Sequence, residues 1–332
     1  MQSPPTAPQS ATGLIPRNVL IFHQAALGDF IVTWPLAVAC GRLFPQSRII
    51  YVTASGKGRL AEHVLGVESV DAESGFAALW ADAADLPPGA RRMVESAHAI
   101  FSFVADESGA WAANVRAVAP HASVAHLTTR PPDDWTEHVA RYVPHTLRAT
   151  HPAVAAGVGQ MIDSLARRGF GRRPAARSGV LIHPGSGAER KNWPRERFVE
   201  LARRLRDEAK RPVRVAVGEV EVEKWGDAAI AEFARVAQVV RPQTLVELAR
   251  LTAEADAVVA NDSGPAHLAA ILGVPTISLF GPTSDARRWR PLGPGVRVIE
   301  GDSLDAIDVH AVCAAAAEYL SSGAPTSDRA EG

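Results

Sequence analysis

The chain has 332 residues, of which 47% are hydrophobic and 21% charged, and its formal net charge is -1. This length fits two domains of ordinary size. The near-neutral charge argues against a chain-wide electrostatic attraction to nucleic acid or to an anionic membrane. Cys40 and Cys313 lie in Ala/Val-rich stretches, so we interpret them as small buried thiols rather than as a disulfide or a metal pair.

Residues 1–16 are rich in Pro, Ser, Thr, Gln and Ala, and they lack the basic and then apolar pattern of a secretory signal. We predict that they form a disordered tail. No stretch of about 18 uninterrupted apolar residues occurs, so no transmembrane helix is expected. We therefore expect a cytoplasmic protein whose contact with a membrane is at most peripheral.

Short apolar runs alternate with amphipathic helical stretches along the chain. The predicted strands cover residues 19–22, 49–52, 99–103, 179–182, 213–217, 257–260 and 276–280. Nearly all-apolar strands separated by helices indicate parallel sheets that are covered on both faces. The predicted fold class is α/β, with two Rossmann-like, doubly wound domains that face a cleft.

The stretch from Arg167 to Pro174 mixes Gly, Pro and Arg, which is typical of an interdomain linker. A basic patch that faces phospholipid or a phosphorylated acceptor is the alternative. The predicted organisation is a tail (1–16), an N-terminal α/β domain (17–150), a linker (151–178), a C-terminal α/β domain (179–302), a closing helix (303–320) and a second disordered tail (321–332).

Gly28 and Asp29 directly follow the first predicted strand. Gly28 permits a tight strand-to-helix turn, and Asp29 then lies at or near the helix N-terminus. Asp29 could merely cap that helix, or it could act in catalysis. Its position at the carboxyl end of a strand, where ligands bind in such folds, favours catalysis.

A second segment runs from a strand into a Gly/Ser loop at Ser186 and Gly187, followed by Arg190 and Lys191 before a helix near Pro194. Backbone N–H groups of such a loop can hold phosphate oxygens, and a hydroxyl and a cation strengthen the binding. The spacing is neither that of a Walker A loop nor that of a dinucleotide fingerprint. Lys191 could also be an ordinary solvated residue.

A third segment places Asp262, Ser263, Gly264 and His267 where a buried strand gives way to a small-residue helix. The first N–H groups of that helix, from Ser263 and Gly264 onward, can bind a diphosphate. A carboxylate beside a diphosphate is unfavourable unless it binds something else, so we assign Asp262 to sugar hydroxyls, a role that is compatible with capping. His267 is more often a packed histidine, although it could reach a phosphate or sugar oxygen.

Two further strand ends contribute candidates. The turn after residues 276–280 carries Gly281, which suggests a close backbone approach, and Thr283, which could bind the acceptor or a phosphate. The acids after the 213–217 strand could hold a ribose, because two vicinal hydroxyls donate well to one carboxylate. Glu219 and Glu221 are the candidates.

The ordered set of these segments resembles glycosyltransferase family 9, the heptosyltransferases of the lipopolysaccharide inner core. The matching sequences are Gly28-Asp29 with Pro35, His183-Pro184-Gly185-Ser186-Gly187, Lys191-Asn192-Trp193-Pro194, Asn261-Asp262-Ser263-Gly264-Pro265-Ala266-His267 and Leu279-Phe280-Gly281-Pro282-Thr283. The resemblance implies a GT-B fold, a donor held by the second domain and an acceptor held by the first. It also implies inversion at the anomeric carbon without an essential metal or another cofactor, and the sequence contains no D-x-D triplet.

By resemblance, Asp29 is the general base and Lys191 a phosphate ligand. Asp262 contacts the donor sugar, and the amides of Ser263 and Gly264 contact the diphosphate. The implied partners are ADP-heptose and a lipopolysaccharide-core or other glycan or glycolipid acceptor, at the inner face of the inner membrane. Nucleic acid is not an expected partner.

Other functions remain open on the sequence alone. One is a non-catalytic nucleotide-sugar-binding protein of the same fold, although the presence of both Asp29 and Lys191 favours catalysis. Another is a transferase that uses a different donor sugar. A nucleotide-sugar epimerase or hydrolase would need further acids in the cleft.

Overall fold

The computed structural model describes residues 17–171, 174 and 178–321. The predicted disordered tails, apart from Ser321, lie outside the described residues. Within those residues the chain folds into two parallel-sheet α/β domains.

The first sheet has five strands in the order β3-β2-β1-β4-β5, and all neighbouring pairs are parallel. Its strands are β1 (Asn18–Phe22), β2 (Arg48–Thr53), β3 (Glu68–Asp71), β4 (Ala97–Ser102) and β5 (Ser123–His126). The helices among them are α1 (Leu27–Val32), α2 (Trp34–Leu43), α3 (Ser55–Leu65), α4 (Pro88–Glu95) and α5 (Ala110–Val118). Two helices follow the last strand: α6 (Tyr142–Leu147) and α7 (Pro152–Arg168).

The second sheet has six parallel strands in the order β11-β10-β9-β6-β7-β8. They are β6 (Val180–His183), β7 (Val213–Ala216), β8 (Gln238–Val240), β9 (Ala257–Asn261), β10 (Thr276–Phe280) and β11 (Val296–Glu300). The helices of this half are α8 (Arg195–Asp207), α9 (Glu219–Ala234), α10 (Leu245–Ala253), α11 (Gly264–Ile271), α12 (Ala286–Trp289) and α13 (Val309–Ser321).

All seven predicted strands are present in the structure, and their ends lie within two residues of the predicted ones. The prediction missed β3, β5, β8 and β11, which are the outermost strands of the two sheets. These strands are largely half-buried or exposed. Because an edge strand is not covered on every side, it does not need the continuous apolar run on which the prediction relied.

The predicted linker differs from the structure in its first half. Residues 152–168 form α7, which packs against α2. The reason is a helical apolar face, since Val154, Val158, Ile162 and Leu165 recur at helical spacing and are buried. The Gly/Pro/Arg stretch follows this helix, and the domain boundaries within 151–178 stay a prediction.

The closing helix starts later than predicted. Residues 304–306 form a short 3₁₀ turn, in which the Ser303 hydroxyl accepts a hydrogen bond from the Ala306 N–H, and α13 begins only at Val309. This helix packs on α8 of the second domain through buried residues that include Val312 and Cys313.

The two domains meet through packed helices. Helix α1 contacts α11, and α3 contacts α10. Gly264 permits the first of these contacts, because a Cβ atom at this position would lie 2.8 Å from the Cβ of Leu27. Buried apolar side chains of both halves, such as Phe30 and Leu268, belong to one continuous cluster. The interface therefore brings the carboxyl end of β1 up to the carboxyl end of β9.

Candidate active site

The four predicted segments meet where the two domains face each other. Asp29 lies on α1, directly after β1, and the Gly/Ser loop follows β6. Asp262 and Ser263 connect β9 to α11, and the Gly281 turn follows β10. The contact of α1 with α11 joins the first-domain segment to the second-domain segments, so they line one cleft.

Asp29 is held by side chains of a distant loop, residues 128–133. The Thr129 hydroxyl donates a 3.1 Å hydrogen bond to Asp29 Oδ1, and the Arg130 guanidinium lies 3.9 Å from Asp29 Oδ2. The N-cap residue of α1 is Ala26, and Asp29 is the third residue of the helix. The carboxylate therefore points toward the 128–133 loop, and helix capping does not account for its position.

Lys57 is a second cation near Asp29 that the sequence analysis missed. Its ammonium donates a 2.5 Å hydrogen bond to the Ala25 carbonyl at the start of the same turn. Burial lowers the pKa of Lys57, and the negative charge of Asp29 opposes that shift. Lys57 lies on α3, 28 residues further along the chain than Asp29, and it belongs to no local sequence motif that would predict this contact.

In the second domain, Lys191 and Asp262 form an ion pair. The Lys191 Nζ lies 2.6 Å from Asp262 Oδ2, with side chains 27% and 8% exposed. These residues are 71 positions apart, and their contact brings the second and third segments together. A partly accessible ammonium beside a buried carboxylate can bind one ligand through both an anionic group and a hydrogen-bond donor.

Asn261 fixes the loop that carries Lys191. Its Oδ1 accepts a 2.9 Å hydrogen bond from the Trp193 N–H, and its Nδ2 donates a 2.8 Å bond to the Pro184 carbonyl. Both ends of the 184–193 loop are thereby tied to the end of β9. Trp193 is buried and donates its indole N–H to the Ile307 carbonyl, which anchors the loop further.

The hydroxyl of Ser186 is used within its own turn. It donates a 2.7 Å hydrogen bond to the Ala188 carbonyl and accepts a bond from the Ala188 N–H. Ser186 is buried, whereas Gly187 is exposed. The predicted role of Ser186 in binding a diphosphate therefore requires that its hydroxyl either exchange partners or accept one more bond.

Ser263 presents a different situation at the N-terminus of α11. Its side chain is buried, and its Oγ has no hydrogen-bond partner among the residues that the structure describes. A buried hydroxyl without a partner costs free energy, so such groups usually face a ligand or an ordered water. Together with the backbone N–H groups of Ser263 and Gly264 it forms a site suited to an anion, because Pro265 has no N–H and the N–H groups of Ala266 and His267 bond to the Ser263 carbonyl.

His267 lies one turn into α11 and is buried. Burial lowers its pKa to about 4, and the neighbouring His138 and Lys191 act in the same direction while Asp262 opposes them. The imidazole is neutral at physiological pH. The first-domain His138 also donates its Nε2–H to the Arg290 carbonyl at 2.8 Å, an assignment that follows from its Nδ1 accepting from the Ala140 N–H.

The two ribose candidates differ in exposure. Glu221 is buried, accepts a 2.9 Å hydrogen bond from the Gly218 N–H and lies against Gly185, where a Cβ atom would overlap its carboxylate. Glu219 is the exposed first residue of α9. The structure brings Glu221 to the Gly/Ser loop, and a ribose contact from either acid stays a prediction.

The acceptor-side candidates are spread over both domains. Gly28 faces α11, where a Cβ atom would come 3.4 Å from the His267 ring. Gly281 packs against Leu304, and Thr283 is exposed in the following turn. Among the described residues, no group of three His, Cys, Asp or Glu side chains is placed to hold a metal ion.

His23, at the end of β1, is fully buried, and neither ring nitrogen has a partner among the described side chains and backbone. Its ring packs 5.2 Å from that of Phe30 and 6.2 Å from that of Phe103, measured between centroids. Burial, followed by the positive charge of Lys57, lowers the pKa of His23 to about 3. In the folded protein His23 therefore stays neutral at pH values well below 6.5, the usual pKa of histidine.

This shift predicts acid destabilisation. In the unfolded chain His23 takes up a proton near pH 6.5, but in the folded chain only near pH 3, so its contribution is present above pH 6.5 and is lost as the pH falls. The slope is about 1.4 kcal/mol per pH unit for one such group. We expect the thermal midpoint of the wild type to fall between pH 7 and pH 5, and that of His23→Gln to fall less. His63→Gln, at an exposed position, is the control; equal slopes in all three proteins would contradict the prediction.

Comparison with known proteins gives one family. A model described as glycosyltransferase family 9 (heptosyltransferase) matches residues 80–317. Lipopolysaccharide heptosyltransferase 1 of Pseudomonas aeruginosa is 38% identical over 118 residues, which cover 33% of this chain and 30% of that protein. A putative glycosyltransferase of Haemophilus influenzae is 31% identical over 116 residues, 34% of each chain. The chain thus spans about a third of the length of the curated relatives it matches.

Solved structures extend the likeness over the whole fold. The E. coli heptosyltransferase WaaC with ADP has a TM-score of 0.67 and 19% identity, over 91% of this chain and 99% of that chain. The E. coli ADP-heptose lps heptosyltransferase II has the same TM-score and identity, over 92% and 99%. This likeness confirms the predicted fold class: two doubly wound α/β domains facing a cleft in the GT-B arrangement.

Among the described residues, no helix is both long and apolar enough to cross a membrane.

Proposed function

The chain belongs to glycosyltransferase family 9, and on that premise we propose that it transfers a sugar from a nucleoside-diphosphate donor to a glycan hydroxyl, with inversion and without an essential metal. The proposed donor is ADP-heptose, and the proposed acceptor is a lipopolysaccharide-core or other glycan or glycolipid. Two similar structures support the donor, since WaaC was solved with ADP and with ADP-2-deoxy-2-fluoro heptose.

One observation carries this proposal. Asp29 of the first domain lies on α1, which packs against α11 of the second domain, and the second-domain side of this contact holds a cation, a buried hydroxyl and a helix N-terminus, namely Lys191, Ser263 and the start of α11. A base on one side and an anion site on the other are the two elements that a direct displacement needs.

The reaction begins at Asp29. The acceptor hydroxyl transfers its proton to the Asp29 carboxylate while its oxygen attacks the anomeric carbon of the donor sugar. Thr129 holds one carboxylate oxygen and leaves the other directed toward Arg130, which is 76% exposed. A base whose position is fixed by a buried hydrogen bond needs little rearrangement before the proton moves.

The leaving group is stabilised from the second domain. As the bond between the anomeric carbon and the phosphate oxygen breaks, negative charge develops on the departing nucleoside diphosphate. The Lys191 ammonium and the backbone N–H groups of Ser263 and Gly264 stabilise that charge, which a metal does in other transferases. Ser263 supplies a hydroxyl that needs a partner.

The remaining residues are assigned to recognition. Asp262 accepts hydrogen bonds from the sugar hydroxyls, and the neutral His267 beside it contacts a sugar or phosphate oxygen. Glu219 or Glu221 binds the ribose, and Ser186 and Gly187 line the diphosphate. The acceptor is approached by Gly28, Gly281 and Thr283. We propose a cytoplasmic enzyme whose contact with the membrane is at most peripheral.

Calorimetric titration with ADP, UDP and GDP in the presence of EDTA tests the donor assignment. We expect selective binding of ADP and undiminished binding after removal of divalent cations. Preference for UDP or GDP would discard the heptose donor, and absence of binding to all three would discard the nucleotide-sugar site.

A transfer assay with ADP-heptose and a lipopolysaccharide-core acceptor tests the chemistry itself. Proton NMR of the product should show the opposite anomeric configuration to that of the donor. Release of free sugar at the same rate without acceptor would instead indicate a hydrolase. Binding of the donor without any turnover would indicate a non-catalytic binding protein.

A further inference from the structure

The loop that holds Asp29 is itself held by the other domain. Residues 131–133 follow Thr129 and Arg130 directly, and their backbone carbonyls accept hydrogen bonds from Arg288 of α12. The Arg288 Nη2 donates to the carbonyls of Pro131 at 3.2 Å and Pro132 at 3.0 Å, and Nη1 lies 3.5 Å from the Asp133 carbonyl.

A second contact between the domains fixes the other end of this segment. The His138 Nε2–H donates to the carbonyl of Arg290, two residues after Arg288. The segment from Thr129 to His138 thus has a first part on Asp29, a middle part on Arg288 and a last part on Arg290. These hydrogen bonds between the domains all involve one short stretch of the second domain, α12 and the residue after it.

Arg288 is suited to this role because of its shape. A guanidinium is planar and carries five N–H donors in a fixed arrangement, so it can donate to several carbonyl oxygens at once. The following Trp289 packs against the apolar cluster that spans both domains, and Asp285 caps α12 by accepting from the Arg287 N–H. The guanidinium is therefore presented from an anchored turn.

We propose that Arg288 is a positioning residue for the transfer reaction. It fixes the 129–133 loop from the donor domain, so that Thr129 and Arg130 orient Asp29 only when the two domains have the arrangement seen here. Closure of the cleft and placement of the base are then one event, and the base is not oriented while the cleft is open. This inference rests on the proposed function, and it adds a residue that touches neither substrate.

The test compares Arg288→Ala with Arg288→Lys and with Arg287→Ala. Arg287 is adjacent, its side chain is 85% exposed, and it pairs with Asp285 without contacting the loop. We expect Arg288→Ala to lower kcat by about tenfold to a hundredfold, because a small misplacement of a reacting group has effects of that size. The Kd for ADP should change less than about threefold, and Arg287→Ala should transfer like the wild type.

Chemical rescue separates positioning from a general loss of structure. Free guanidinium at millimolar concentration, far below denaturing levels, should restore part of the kcat of Arg288→Ala and leave the wild type unchanged. Arg288→Lys, which keeps a donor for one or two of the carbonyls, should lie between the wild type and Arg288→Ala. An unchanged kcat in Arg288→Ala would overturn the proposal, and so would an equal loss of kcat in Arg287→Ala or a parallel loss of ADP affinity.

Hydrogen exchange keeps the inference distinguishable from the proposed function. Pro131 and Pro132 have no amide hydrogen, so the readout is the N–H of Arg130, which donates to the Thr128 hydroxyl, and the N–H of Trp135, which donates to the Pro132 carbonyl. Both should exchange faster in Arg288→Ala than in the wild type, whereas the N–H groups of the β1 strand should not. If the wild type transfers no sugar, the proposed function fails, and the exchange result still decides whether Arg288 holds the loop. Unchanged exchange in both Arg288 variants overturns the inference even if the transferase assay succeeds.

Discussion

Replacing Asp29 with asparagine is expected to lower kcat for sugar transfer by a factor of about 10² to 10⁴ while the Kd for the nucleotide stays within about threefold. Asparagine keeps the size of the side chain and can still accept a hydrogen bond from Thr129. It cannot accept a proton from the acceptor hydroxyl. The loss therefore falls on the chemical step and not on donor binding.

The location of Asp29 explains why binding should survive. Its carboxylate interacts with Thr129 and Arg130 of the first domain, and among the described residues it forms no hydrogen bond or ion pair with Lys191 or Asp262. Transfer assays at saturating donor and calorimetry with ADP measure the two quantities separately.

Asp106→Asn is the matched control for a structural effect. The Asp106 carboxylate accepts hydrogen bonds from the N–H groups of Trp111 and Ala112 at the start of α5, so this substitution weakens the N-terminus of that helix and removes no hydrogen bond of Asp29, Lys191 or Asp262. We expect it to lower stability modestly and to leave kcat unchanged. If Asp29→Asn lost ADP binding together with transfer, or if its kcat equalled that of the wild type, Asp29 would not be the base.

The central strands of both sheets could be predicted from the sequence. Strands such as β1 and β9 are buried throughout, and their continuous apolar runs are the direct consequence of a parallel sheet covered on both faces. The edge strands β3 and β8 carry polar residues on partly exposed faces, so their composition does not distinguish them from loops. Helix α7 was not predicted for another reason. The Gly/Pro/Arg stretch that follows it is typical of a linker, and the linker assignment was extended over the helix as well.

The candidate site likewise contains residues that could be predicted from the sequence and residues that could not. Lys191, Asp262 and Ser263 were found because each lies within a short motif at the end of a strand. Lys57 and Thr129 approach Asp29 from 28 and 100 residues away, and such contacts depend on the tertiary fold. Arg288 escaped notice for the same reason: its partners are backbone carbonyls, and a carbonyl leaves no signature in the sequence.

Substitution of Lys191 by methionine is expected to weaken ADP binding by about tenfold to a hundredfold, since hydrogen bonds to charged groups contribute about 1.5–3 kcal/mol and each 1.4 kcal/mol is tenfold in affinity. Two effects combine. The diphosphate loses its cation, and the buried Asp262 carboxylate, 2.6 Å from Lys191 Nζ in the wild type, is left without its partner close to a negatively charged ligand.

The double variant Lys191→Met/Asp262→Asn separates the two effects. If repulsion from the unpaired carboxylate contributes, the double variant should bind ADP more tightly than Lys191→Met alone, although more weakly than the wild type. Arg190→Met, which removes the exposed neighbouring cation, is the control and should change the Kd for ADP less than about threefold. Calorimetry at constant ionic strength measures all four proteins.

The outcome distinguishes two uses of the same ion pair. If Lys191 binds the diphosphate, the pair in the ligand-free protein holds the ammonium in place until a phosphate replaces Asp262 as its partner, and the freed carboxylate can then accept hydrogen bonds from the donor sugar. If the pair only closes the 184–193 loop, Lys191→Met should lower the thermal midpoint without changing ADP affinity beyond the Arg190→Met control. Since Asn261 already ties both ends of that loop to β9, loop closure alone gives no reason for a partly exposed lysine beside a buried carboxylate, and we expect the first result.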